Sequence, residues 1–404
     1  MKYLKIILFI LLTFLLIEQV RAFDFEINSD KAILVNMTDD IVLFEKNADQ
    51  KTSIASLTKI MTAITVLDNT NNLDEEVRIT NDMLSGINGY AKAGFKVGNK
   101  VTIKELLYAL MLPSAADAAQ ALAINQSGSI EEFVNLMNEE ASKIGVENSH
   151  FSNPVGMDDD DNYSTARDLS IILIYCLKNP TFKEIYESNE YHIKALNKNV
   201  EKTIFNTAKI YDIDTSIIKG SKTGWTSEAE MCLSSTSTFN GTDYLLIVLN
   251  AKELSLDHIT DTLNLYNYYK ENYGYITIIN NGDSLYTLKV KDSSQKQYEI
   301  LASNDVTLYL KNNITKDDIN IIFDGVDAID NKFKKGDLLG TITVNYNDEI
   351  LYIFEVYLET DIKFYNYKLY IGIGIMVLVL LFIIIFKIIK RVKANKKSAY
   401  FKTS

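Results

Sequence analysis

The eighteen residues Leu369 to Phe386 carry no charge. At about 1.5 Å of rise per residue, a helix of that length reaches across the hydrocarbon core of a bilayer, and inside hydrocarbon a lone segment can satisfy its backbone polar groups only as a helix. A transmembrane helix over 369–389 is therefore expected. Phe364, Tyr365, Tyr367 and Tyr370 gather at one rim, while Lys387, Lys390, Arg391, Lys393, Lys396, Lys397 and Lys402 follow the other. The bias of basic residues toward the inner side places the tail, 390–404, in the cytoplasm. A buried core helix is the alternative, disfavoured by the basic stretch that follows.

At the opposite end, Lys2 and Lys5 precede the uncharged run Ile6 to Ile17 and a small-residue site at Val20-Arg21-Ala22. This pattern predicts a signal peptide over 1–22, cleaved after Ala22, with an uncleaved anchor as the rival reading. The body of the chain is then expected on the outer face of a cell membrane that it crosses once. Setting aside the seven positive charges after Phe386 and a net +2 in residues 1–22, the formal charge of −12 leaves −21 for residues 23–368. So acidic a surface argues against nucleic acid as a partner. Cys176 and Cys232 are the two cysteines, too few for a disulfide framework, and the apolar run around Cys176 predicts buried thiols.

Between the two ends, about 345 residues exceed one ordinary core, so two domains are expected, 23–273 and 274–368. In the first, residues 32–46 read as a hairpin turning at Asn36 to Asp40. Ser56 opens a helical stretch marked by Leu57, Ile60, Met61, Ile64 and Leu67. Pro113 breaks a second apolar helix from an alanine-rich third. Helical patterns cover 130–144, 165–178 and 257–272, and β-rich runs cover 230–238 and 243–251, so the first domain reads as α/β. After Tyr273 short β-branched runs take over. Gly282-Asp283-x-Leu285-x-Thr287-x-x-Val290 is echoed by Gly336-Asp337-x-Leu339-x-Thr341-x-x-Val344, which predicts a small all-β domain of related hairpins serving as a spacer above the bilayer.

Ser-x-x-Lys is weak as a signal, because Ser216 to Lys219 and Ser293 to Lys296 also match it. Context selects Ser56-Leu57-Thr58-Lys59, which alone starts an apolar helix and precedes both Ser114, after a proline break, and Lys222-Thr223-Gly224. With IASLTKIMTA around Ser56, LMLPSAADAA around Ser114, FSNPVG and YSTARDL over 151–169, and GSKTGWTSEA around Lys222, residues 30 to about 272 resemble the D-Ala-D-Ala carboxypeptidases, the low-molecular-mass penicillin-binding proteins. The resemblance implies a penicillin-binding/β-lactamase type of α/β fold, an antiparallel sheet flanked by helices. It also implies a serine peptidase acting on peptidoglycan stem peptides and inhibited covalently by β-lactams. No cofactor and no metal are called for.

His150, His192 and His258 lie outside these motifs, which disfavours a Ser-His-Asp triad. A lysine can act as base when burial or a neighbouring cation destabilises its ammonium. By the resemblance, Ser56 is the nucleophile, Lys59 its base, and Ser114 the relay of a proton to the leaving D-alanine. Lys222 and Thr223 then hold the terminal carboxylate. Gly224 allows close approach of the strand, and the N–H groups of Ser56 and Trp225 form the oxyanion hole.

One departure stands out, since the family's second motif is usually Ser-x-Asn and the third position here is Ala116. Losing that amide is expected to slow turnover without abolishing it. Ala229-Glu230-Met231, where the family often has Ala-Gly-Tyr, has no mechanistic account. Asn153-Pro154-x-Gly156 reads as a structural turn, Thr165 as a helix N-cap, and Asp158 to Asp161 as a solvated acidic turn in preference to a calcium loop. Two other functions compete with the carboxypeptidase: a transpeptidase or endopeptidase using the same acyl-enzyme, and a protein that binds β-lactam or wall peptide with little turnover. A β-lactamase is disfavoured by the membrane segment, the extra β domain and the lack of a Ser-Asp-Asn element.

Overall fold

The computed structural model describes residues 26–400 except 195, 198–200, 210–211 and 253–254. The expected signal peptide lies outside the described residues. Two compact units are present, 1–271 and 272–404 by extent of chain.

In the first unit the expected hairpin forms as β1 (Lys31–Asn36) and β2 (Ile41–Lys46). Next come a 3-10 turn at Ala55–Leu57 and α1 (Thr58–Asp68), whose residues from Thr58 to Leu67 are all buried. A helix that is enclosed on every side belongs at the centre of a core. The short strands β3 (Glu76–Arg78) and β4 (Lys100–Thr102) pair, and α2 (Ile103–Met111) starts from a capping box between Thr102 and Glu105. After the break at Pro113 come α3 (Ala116–Ser127), α4 (Ile130–Ile144), α5 (Ala166–Leu177), capped by Thr165 as expected, and α6 (Pro180–Glu187). A hairpin of β5 (Glu190–Lys194) and β6 (Glu201–Phe205) precedes β7 (Gly220–Thr226), β8 (Glu230–Phe239), β9 (Thr242–Ala251) and α7 (Asp257–Asn272).

The main sheet has the order β2-β1-β9-β8-β7, antiparallel throughout, so the amino-terminal hairpin completes a sheet begun by the late strands and β7 forms its edge. Successive residues of a strand face opposite sides. Ser234 meets Tyr186 of α6 at 2.9 Å and Ser235 meets Tyr266 of α7 at 2.9 Å, so helices cover both faces. Both cysteines are buried free thiols, and burial pushes the Cys232 thiol up to about 12.

The second unit is β-rich. It contains β10 (Tyr273–Ile279), β11 (Ser284–Val290), β12 (Gln297–Leu301), β13 (Val306–Lys311), β14 (Ile319–Gly325), β15 (Ala328–Ile329), β16 (Leu338–Tyr346) and β17 (Glu349–Tyr357). The sequence echo is a structural one. Asp283 accepts from the N–H of Asn280 and Asp337 from that of Lys334, each at 2.8 Å. The N–H of Gly282 donates to Ala302 and that of Gly336 to Leu358, again at 2.8 Å each. The β11–β12 register then shifts between Ser284 and Tyr286, and the β16–β17 register between Leu338 and Gly340. In each case the skipped residue is the buried leucine of the echo, Leu285 or Leu339. Beyond this unit's strands, α8 (Tyr367–Tyr400) is a single helix, and its stretch Tyr367–Lys393 is long and apolar enough to cross a membrane.

Candidate active site

Ser56 sits in the 3-10 turn immediately before α1, and in such a turn the side chains at i and i+3 eclipse one another. Lys59 is therefore carried directly over the serine, its Nζ 2.9 Å from Ser56 Oγ. The turn is strained, because Ala55 has φ of +46° without being glycine. Left-handed backbone in such a residue costs about 1–3 kcal/mol and persists where its surroundings enforce it.

The second motif is strained as well. Ser114, in the break between α2 and α3, has φ of +61°, and its buried Oγ lacks a hydrogen-bond partner among the described residues. Beside it, Asp117 is 1% exposed and its carboxylate accepts four backbone N–H bonds, from Ala93, Gly94, Phe95 and Ala118, at 2.8 to 3.1 Å. The segment 91–95 is thus fastened to the start of α3, and Ala116 N donates to Ala91 O as a further tie. Asp117→Ala strands these donors in a dry site, so a loss of about 3 kcal/mol or more is expected, read as a fall in Tm, while Asn135→Ala on the exposed face of α4 leaves Tm nearly unchanged.

The third motif lies on the sheet edge. Lys222 and Gly224 share one face of β7, and a Cβ added at Gly224 would lie 3.0 Å from the Ser56 nitrogen, so that strand or turn would have to give by a few tenths of an ångström. Lys222 is fully buried and its Nζ donates to the Thr223 carbonyl at 2.8 Å. Trp225 is 50% exposed. Thr223 Oγ1 meets Thr207 Oγ1 at 2.5 Å.

Burial brings the Lys59 amine down to about 7 from its ordinary value of 10.5. Lys222 is pushed well below the ordinary range, first by burial and then by the charge of Lys59. Burial alone brings the Lys59 amine to the edge of neutrality, so near pH 7 a substantial share of it lies uncharged against the Ser56 hydroxyl. Of the residues singled out in the sequence, Ser56, Lys59, Lys222 and Gly224 converge directly. Ser114 heads the helix α3 that packs against α1, while Thr223 and Trp225 follow on the same edge strand. Among the described residues no group of three or more His, Cys, Asp or Glu is gathered as for a metal ion.

A sequence model described as D-alanyl-D-alanine carboxypeptidase matches residues 18–253. The chain belongs to the D-alanyl-D-alanine carboxypeptidase family. A second model of this family's architecture, described as penicillin-binding protein 5, C-terminal domain, matches residues 273–363. The D-alanyl-D-alanine carboxypeptidase DacF of Bacillus subtilis is 26% identical over 339 residues, spanning 82% of this chain and 85% of that protein. The crystal structure of the Streptomyces K15 DD-transpeptidase superposes with a TM-score of 0.57 at 32% identity, over 61% of this chain and 98% of that one. The Francisella tularensis carboxypeptidase DacD superposes with a TM-score of 0.67 over 86% of this chain and 96% of that one, and at 19% identity this likeness shows the fold alone. The family fold, a helix-flanked antiparallel sheet followed by a β domain, is the one described above.

Three participants escaped the sequence reading. Asp117 and Thr207 fasten neighbours of the second and third motifs, and the loop read as a plain turn at Asn153 touches Lys59 itself through the Val155 carbonyl, at 2.5 Å. Asp158 also differs from a solvated turn. It is half-buried and accepts from the Ser53 hydroxyl at 3.1 Å and from the Glu228 N–H at 3.4 Å, linking the segment before Ser56 to the end of β7. A carboxylate two residues beyond a glycine turn has no local signature for such long-range partners.

Proposed function

We propose that this chain is a serine-type D-Ala-D-Ala carboxypeptidase that removes the terminal D-alanine from peptidoglycan pentapeptide stems through an acyl-enzyme on Ser56. The observation that carries the reading is the Ser56 hydroxyl lying 2.9 Å from a buried lysine amine that is half deprotonated near neutral pH.

Lys59 takes the Ser56 proton as Oγ bonds to the carbonyl carbon between the two D-alanines. The N–H groups of Ser56 and Trp225 stabilise the oxyanion. Lys222 and Thr223 hold the terminal carboxylate. As the C–N bond breaks, Ser114 passes its proton to the departing amine and receives in its place the one Lys59 took from Ser56, a task suited to a buried hydroxyl with no fixed partner among the described residues. Water then adds to the acyl carbon and restores Ser56. A β-lactam follows the same first step and leaves an acyl group that water reaches slowly. The chain is anchored by α8 in the cell membrane, with the catalytic unit on the extracytoplasmic face and the basic end inside, after cleavage of the 1–22 signal peptide.

The full-length chain in detergent is expected to release D-alanine from a D-Ala-D-Ala peptide and to bind fluorescent penicillin covalently, while Ser56→Ala does neither. Absence of release, or equal release by the variant, would sink the carboxypeptidase reading. Penicillin labelling without release would instead favour the binding protein, for which the missing amide at Ala116 is the specific motive. Acylation is also expected to fall about tenfold per pH unit below about 7, where Lys59 becomes protonated, a limb checked by labelling rates between pH 5 and 8.

A further inference from the structure

Among the described residues Lys59 makes two polar contacts, one of them to the nucleophile. The other acceptor is the carbonyl of Val155, 96 residues away in sequence. A neutral amine has two N–H bonds and one lone pair. An N–H pointed at Val155 restricts how the rest of the group turns, and so helps aim the lone pair at the Ser56 hydroxyl.

That carbonyl is held by one side chain. Asn153 Oδ1 accepts from the N–H groups of Val155, Gly156 and Met157 at 3.2, 2.7 and 2.9 Å, and Asn153 Nδ2 donates to Met157 O at 3.2 Å. The loop is therefore wound about a single amide. From it, Pro154 O accepts from Thr62 Oγ1 at 2.8 Å, one turn along α1 from the Thr58 hydroxyl that accepts from Asn162 at 3.2 Å. Gly156, with φ of +84°, lies so close to the strained Ala55 that a Cβ there would run into the Ala55 carbonyl.

We infer that Asn153 is a positioning residue for the reaction, winding the 153–157 loop so that the Val155 carbonyl orients the Lys59 amine and Gly156 braces the turn that carries Ser56. The inference rests on the acyl-enzyme reading above, and wild-type D-alanine release tests that reading separately.

The test is the rate of acylation of the full-length chain by fluorescent penicillin as a function of pH. Among the described residues the titratable group that interacts with Lys59 is Lys222 from β7, itself pushed well below its ordinary range, and burial is the cause of the depressed Lys59 basicity. Loosening the loop admits water, which favours the ammonium. Asn153→Ala is therefore expected to slow acylation by about 100-fold, the scale of an ångström of misplacement, and to move the acidic midpoint upward from about 7. Ser129→Ala, which strips the N-cap from α4, provides a destabilised variant whose change does not touch the loop and is expected to keep the wild-type midpoint. Should Asn153→Ala fail to fold, Asn153→Asp and Asn153→Ser decide. The aspartate keeps an acceptor of the same reach and the serine does not, so the aspartate is expected to acylate at least about tenfold faster. An unchanged midpoint in Asn153→Ala, or equal rates in the Asp and Ser variants, overturns the inference while wild-type release stands.

Discussion

Lys59→Met is expected to lower the acylation rate by roughly 1000-fold, the range of a lost general base, and at the same time to stabilise the protein at neutral pH. The second half follows from burial. The folded chain holds this amine near 7, against 10.5 for an ordinary lysine. Below pH 7 both folded and unfolded chains are protonated there and the folded state bears the full penalty of a buried cation. Between 7 and 10.5 the unfolded chain binds the additional proton, so wild-type stability climbs with pH, and above 10.5 the penalty is gone. At pH 7 that penalty is on the order of 4 kcal/mol. Methionine fills a similar volume with no charge to desolvate, although it leaves the Val155 carbonyl without its donor, a loss of about 1–3 kcal/mol. Relief of Lys222, whose basicity Lys59 also depresses, adds to the gain. The variant is thus expected to melt above wild type at pH 7 and below it near pH 10.5. Thermal melts across that range read the crossing directly. A variant that is destabilised at both ends would mean that the amine is not held in a dry site.

The second large effect is expected at Gly156. Gly156→Ala combines left-handed backbone with a Cβ driven into the backbone of Ala55, and backbone cannot swing aside as the end of a long side chain can. A loss above about 4 kcal/mol is expected, together with loss of penicillin labelling in whatever fraction folds, because the residue that must give way precedes Ser56. Gly128 provides the comparison. It too has a positive φ, +80°, at the end of α3, but a Cβ there meets nothing within 4 Å. Gly128→Ala is therefore expected to cost only about 1 kcal/mol, with labelling intact. The difference in Tm between the two alanine variants isolates the collision from the backbone preference. Equal losses would mean that the 153–157 loop does not press on the nucleophile turn.

Much of the catalytic unit's fold was legible because its longer elements carry strong periodicity. The hairpin over 31–46, the core helix after Ser56, the break at Pro113 and the late strands all stand in the pattern of apolar residues. So was the duplication in the β unit, since a Gly-Asp pair followed by spaced apolar residues repeats both a turn and a bulge. The short strands β3 to β6 were not legible. Three to five residues of mixed polarity hold no period to read, and β3 meets its partner β4 only across the 21 residues between them. In the site, Ser56, Lys59 and Lys222 announce themselves through motifs whose chemistry depends on side chains. Asn153 does not, because what it supplies to Lys59 is a main-chain carbonyl one residue pair away, and any asparagine before a proline would look the same. Thr207 was silent for a similar reason: its contact is with Thr223, and no spacing rule joins residues 207 and 223.

The terminal helix is longer than the layer it fits. Thirty-four residues from Tyr367 to Tyr400 make a rod of about 51 Å, against about 30 Å of hydrocarbon in a bilayer. With α8 crossing a bilayer as proposed, roughly the last third would stand clear of the acyl chains as continuous helix. Lys387, Lys390 and Arg391 fall three and four residues apart, so they line one side of that stalk, where the proposed span would set them at the depth of lipid phosphates. In the proposed anchor this end is a stiff cationic stem, whose contacts with the headgroup layer would resist sliding of the helix along the membrane normal.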